Sequence, residues 1–181
     1  MIDGTRRRFS RRANLYAALR GATDRMIDNE RDLFVRTLEE LYHLERELEE
    51  LQPELADAAT DEDLEEFFMA HGERTTEQVG RLERIFDALE GEVEPGPVES
   101  PALDGLRSER EALVGDLQDP TLGDLVEAEL GRTIERLEIS KLETLLTVAR
   151  RTDLPDEVVG PLETTKQEAE NGLERLQDLT S

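Results

Sequence analysis

The chain has 181 residues, enough for one domain with a sizeable core, and it has no cysteine, which excludes disulfides, iron–sulfur clusters and thiolate zinc sites. Acids outnumber bases 45 to 22, a formal net charge of −23, so the main domain is not expected to bind nucleic acid through a basic groove. No apolar run approaches the roughly 20 residues that span a bilayer.

The charge is uneven. Residues 1–26 hold seven arginines against two acids. Thr5, Arg6, Arg7 and Phe9 have the order of a twin-arginine export signal, but Asn14, Arg20, Asp24 and Arg25 interrupt the apolar segment such a signal requires. Residues 1–25 therefore read as a disordered basic extension, either lying upstream of a natural start at Met26 or serving as an arm for an anionic partner. Residues 26–181 read as the folded domain.

From Asp28 onward the spacing turns helical. Phe34, Leu38, Leu41, Glu45, Leu48 and Leu55 fall on one helix face, with Pro53 expected to bend or end the helix late. Thr60 and Asp63 resemble a capping box for a second helix, whose stripe runs Leu64, Phe68, His71, Thr75, Gln78, Leu82, Phe86 and Leu89 and stops at Gly91. Residues 92–101, EVEPGPVESP, form a loop long enough to cross the end of a bundle. A short helix is predicted over 102–117 and broken by Asp119 and Pro120. A long one follows over about 122–151, apolar on more than one side through Leu130, Ile134, Leu137, Leu145 and Val148, with Ile139, Leu142 and Leu146 beside them. After a tight link at Asp153–Pro155, Val158, Leu162, Ala169, Leu173 and Leu176 mark a last helix, slightly weakened by Gly172. The predicted fold is all-α: an antiparallel four-helix bundle with one additional short helix and a crossover loop.

Charged residues on apolar stripes require partners, because an isolated buried charge is too costly to keep. Glu45, Arg74, Glu138 and Lys166 each sit at core spacing on a different long helix, two acids and two bases. One reading is internal salt bridges or side chains that snorkel to the stripe's edge. The other is a metal centre of the kind that carboxylate and imidazole ligands build in bundles. Nucleophilic and phosphate-loop chemistry have no support: there is no cysteine, no Gly-x-Ser-x-Gly elbow and no phosphate-binding glycine loop. His43 reads as a surface or interface histidine.

The segments ELYHLERELEEL (40–51), AHGERTTEQVGRLERIFDAL (70–89), ALDGL (102–106) and IERLEISKLETL (134–145) resemble, in order and spacing, the YciE/YciF family of ferritin-like, stress-associated proteins. The resemblance covers about residues 27–178. It implies a ferritin-like bundle, homodimerisation and binding of iron or a similar metal. Of the family's pattern, Tyr42 and Glu45 are kept in the first helix, His71, Glu73, Thr75 and Gln78 in the second, and Glu135 and Glu138 in the third long helix. Arg74, Arg136 and Leu137 replace a Glu, a His and a Tyr, and a gapless alignment sets Lys166 on the last helix's core-facing Glu, with Glu170 near the acid that follows.

The resemblance and these departures lead to a non-catalytic, stress-associated cytoplasmic protein. Its metal site would be degenerate, with Glu45 and Glu138 neutralised by Arg74 and Lys166, and no cofactor is expected. The alternatives are an iron-binding ferroxidase or storage-like protein, with Glu45, His71, Glu73, Glu135 and Glu138 as candidate ligands, and a helical partner-binding module that uses the basic arm. A homodimer is also consistent with the surplus apolar surface of the helix over 122–151. The acid-rich composition, with Lys141 and Lys166 the sole lysines, resembles that of haloarchaeal cytoplasmic proteins.

Overall fold

The structure, a computed structural model, describes residues 26–89, 95–96 and 100–180. Five helices follow one another: α1 (Glu30–Ala58), α2 (Glu62–Ala88), α3 (Pro101–Asp116), α4 (Gly123–Arg151) and α5 (Asp156–Leu179), with a 3-10 turn at Pro120–Leu122 before α4. No strand occurs among the described residues. The extension over 1–25 and the stop assigned to Gly91 lie outside them.

Local chemistry explains the helix ends. The Asn29 side chain accepts from the Asp32 amide and caps α1. The cap of α2 is Asp61, which accepts from the Leu64 amide, rather than the expected Thr60. Thr60 donates instead to Asp124, through its amide (2.7 Å) and its hydroxyl (2.5 Å), tying the end of α1 to the start of α4. Pro101 opens α3, where a missing N–H costs nothing. Pro53 does not end α1, which runs five residues further to Ala58. Asp153, with φ at 50°, turns the chain between α4 and α5; aspartate tolerates this left-handed conformation better than most residues.

The long helices pack as two hairpins, α1 with α2 and α4 with α5, joined by α1–α4 and α2–α5 contacts. Thr60–Asp124 at one end and an Arg151–Glu30 ion pair at the other set α4 antiparallel to α1. The link between α2 and α4 therefore travels the length of the bundle, and α3 lies along it. Arg107 donates to the Glu47 carbonyl on α1, and Arg110 clamps Glu127 of α4. This is the ferritin-like arrangement with one crossover.

Every residue of the two stripes predicted for the first two helices is buried. On α5 the inward row is Val158, Leu162, Thr165, Ala169, Gly172 and Leu176, and Leu173 is only partly buried. Lys166 is therefore not a core residue. A step of three from Leu162 leads to Thr165 and a step of four to Lys166, and packing places the smaller, uncharged side chain inward. Lys166 pairs on the outer surface with Glu170 and, at 3.9 Å, with Glu143.

Candidate metal centre

Three of the four long helices send ligating side chains into the middle of the bundle: Glu45 from α1, His71 from α2, and Glu135 and Glu138 from α4. Their exposures are 0%, 4%, 1% and 0%. Glu135 and Glu138, three residues apart on one helix, point to the same side. The ligating atoms of His71, Glu135 and Glu138 all lie within 4.8 Å of one another. His71 Nδ1 is 3.1 Å from Glu135 Oε1, but the two are not aligned as a hydrogen bond. Both His71 nitrogens and both oxygens of Glu45, Glu135 and Glu138 lack hydrogen-bond partners.

Eight orphaned polar atoms in one place are expensive, and the groups respond by losing charge. Burial, followed by repulsion from Glu138 and Glu135, holds Glu45 well above the ordinary carboxylate range. Burial and the adjacent Glu135 do the same to Glu138. Glu135 is pushed up to about 8 by burial, against partial relief from the Arg74 charge. His71 falls to about 3, mainly through burial and secondarily through Arg74. Without a cation, neutral pH therefore finds a neutral imidazole among carboxyls that hold protons. One such proton allows a Glu45–Glu138 hydrogen bond, which two carboxylates could not make.

The surrounding residues shape this cluster. Gly172 of α5 stands directly against Glu135: a Cβ built there would lie 2.8 Å from Glu135 Cδ and closer still to Oε1. The glycine read as a weak point in the last helix is thus a space that accommodates a carboxylate. Gly131 does the same for packing, since a Cβ there would meet Leu176 at 2.9 Å and Phe68 at 3.2 Å. At the rim, Arg81 donates two 2.7 Å hydrogen bonds to Glu168, which also receives one from Gln78 at 3.1 Å. Arg81 reaches Thr165 as well.

The expected residues divide accordingly. Glu45, His71, Glu135 and Glu138 come together; Glu73 is exposed and takes no part. Arg74 is half-buried, with its guanidinium carbon 6.0 Å from the centre of the Phe67 ring, which itself lies 5.6 Å from the His71 ring. It favours the charged forms of Glu135 and Glu138 from a distance and leaves their oxygens without a hydrogen bond. With Lys166 outside, the expected pairing of Glu45 and Glu138 with Arg74 and Lys166 is not formed. Tyr42 bonds to Glu83 at 3.2 Å, and His43 contacts the Gly96 carbonyl, holding the crossover segment against α1. Glu168, Arg81 and Gly172 escaped the sequence reading: the first two lie off the apolar stripe, and a glycine carries no polar signal.

Three oxygen ligands and one imidazole, all buried and unsatisfied, suit a hard or borderline divalent cation. The donor set therefore fits the metal that the family resemblance implies.

Residues 29–181 match the family model described as "Domain of unknown function (DUF892)". Protein YciF of Escherichia coli K12 is 26% identical over 120 residues, which is 66% of this chain and 72% of that protein. Among solved structures, YcfI of Rhodopseudomonas palustris matches with a TM-score of 0.79 at 28% identity, over 85% of this chain and 96% of that one. The E. coli stress protein YciF matches in fold with a TM-score of 0.78 at 24% identity, over 84% and 95%. The chain belongs to the DUF892 family, the YciE/YciF family that its sequence motifs resemble.

Proposed function

We propose that this chain is a cation-binding YciF-type protein: His71, Glu135 and Glu138, with Glu45 beside them, hold a divalent metal ion, iron or a similar cation, at the centre of the bundle. The observation that carries this reading is the set of buried ligating atoms without hydrogen-bond partners. The internal salt bridges that would have explained the two stripe carboxylates are not formed, so a proton or a cation must offset each carboxylate charge. A bound cation would compensate them and cross-tie α1, α2 and α4. The role is non-catalytic, in an acidic cytoplasmic protein of the stress-associated kind, a description that the E. coli relative carries. Homodimerisation and an anionic partner for the basic arm belong to the same proposal.

The test is thermal unfolding with and without excess Mn2+, a probe for such sites that does not oxidise readily. A ligand that binds only the folded state at about 100 times its Kd stabilises by about 2.7 kcal/mol, a shift of several degrees at this chain length. That shift is expected for the native chain and not for Glu138→Gln, which keeps the shape and removes a ligand. Equal shifts in the two proteins would place any binding on the acidic surface and defeat the proposal.

A further inference from the structure

The three helices that supply ligands leave one wall of the bundle blank. At the height of the cluster, α5 turns Thr165, Ala169 and Gly172 inward, none of them a carboxylate or an imidazole. Gly172 touches Glu135, which fixes that height. The acid that α5 does place near the site, Glu168, is already held by two hydrogen bonds from Arg81 and one from Gln78. On α2, Arg74 follows His71 by three residues and so shares its side of the helix. Its guanidinium rests over Phe67, whose ring in turn neighbours the His71 ring.

We infer that the centre takes a single divalent cation, because the α5 wall offers no ligand and Arg74 places a permanent positive charge beside the site. This rests on the cation reading above and specifies it. The charges agree with it. Three inward carboxylates and one guanidinium leave two negative charges, which one divalent ion cancels. A second ion would leave two positive charges buried in a low-dielectric core, without the fourth carboxylate that two-metal bundles draw from their helices. Arg74 is thus a positioning residue that sets how tightly the ion is held and, together with the blank α5 wall, keeps a second ion out.

The experiment counts Mn2+ on the full-length protein in concentrated potassium chloride, by equilibrium titration with electron paramagnetic resonance. The native chain is expected to bind one ion, with the spectrum of an isolated Mn2+ showing no coupling to a second. Arg74→Gln should still bind one ion, about tenfold more tightly, since a nearby like charge is removed. Arg74→Gln combined with Ala169→Glu should admit a second ion with a coupled spectrum. Two coupled ions in the native chain would overturn the inference while leaving the cation reading intact. No bound ion in the folded native chain would overturn both. An unchanged affinity in Arg74→Gln would remove the role assigned to Arg74. A folded double variant that still held one ion would remove the role assigned to the α5 wall. Should the double variant fail to fold, the native count and the Arg74→Gln affinity decide the matter.

Discussion

Glu135, Glu138 and Glu45 bring to the core charges that the core resists, and the sign of the resulting pH dependence follows. A carboxyl whose pKa is raised on folding binds more protons folded than unfolded between its two pKa values. Stability from such a group falls as pH rises through that window, for Glu135 from its unfolded value to about 8. His71 works oppositely, because its pKa is lowered on folding: its contribution is present above the ordinary histidine value and is lost as pH falls towards about 3. Above pH 6.5 the His71 effect is complete, so the cation-free protein should lose roughly 1 kcal/mol per pH unit to pH 8 from Glu135 alone. Chemical denaturation at both ends of that range checks this; a rise in stability would contradict it. Burial raises the pKa of Glu138, so Glu138→Gln should stabilise the cation-free protein at pH 8 while removing cation binding, a combination foreign to a purely structural residue. Gly172→Ala is expected to lower Mn2+ affinity by about tenfold or more by displacing Glu135, even though alanine is the better helix former. Titration of that variant decides the point: unchanged affinity would mean that Glu135 is not a ligand.

The elements show why some of this was legible in advance. The stripes of α1 and α2 are long, and their polar members Glu45, His71, Thr75 and Gln78 fall in register with leucine and phenylalanine, so burial followed from spacing. On α5 the stripe is short and its inward members are small, so Leu162 could be extended to Thr165 or to Lys166. Only contact with α2 and α4 resolves the phase. The same one-residue ambiguity produced the salt-bridge expectation and concealed the role of Gly172. The crossover was legible from prolines and length, but its attachment was not, because Arg110 and Glu127 lie 17 residues apart on different helices. Their hydrogen bonds of 2.6 and 2.8 Å bury Glu127 almost completely. Arg110→Ala would strand that charge and should cost about 3–5 kcal/mol, measured by urea denaturation. A cost below about 1 kcal/mol would mean that the clamp behaves like an exposed pair.

For the whole molecule, a net charge of −23 opposes compaction through self-repulsion. Potassium chloride shortens the reach of that repulsion from about 10 Å at 0.1 M to about 3 Å at 1 M. Stability should therefore rise steeply with potassium chloride, as the acid-rich, lysine-poor composition suggests, and thermal unfolding across that range checks it. The buried centre meets the same constraint at smaller scale: it too concentrates acids, and on the proposed function it too takes up a cation. On that reading surface and core differ in mode, the surface attracting cations diffusely and the centre ligating one directly after proton release. Proton release is therefore the most direct reporter. Calorimetric titration with Mn2+ at pH 7, in buffers of different ionisation enthalpy and high potassium chloride, counts the protons displaced. The expected result is binding that releases at least one proton per cation and is lost in Glu138→Gln. Binding that releases none, or that survives the substitution, would contradict a buried carboxylate centre.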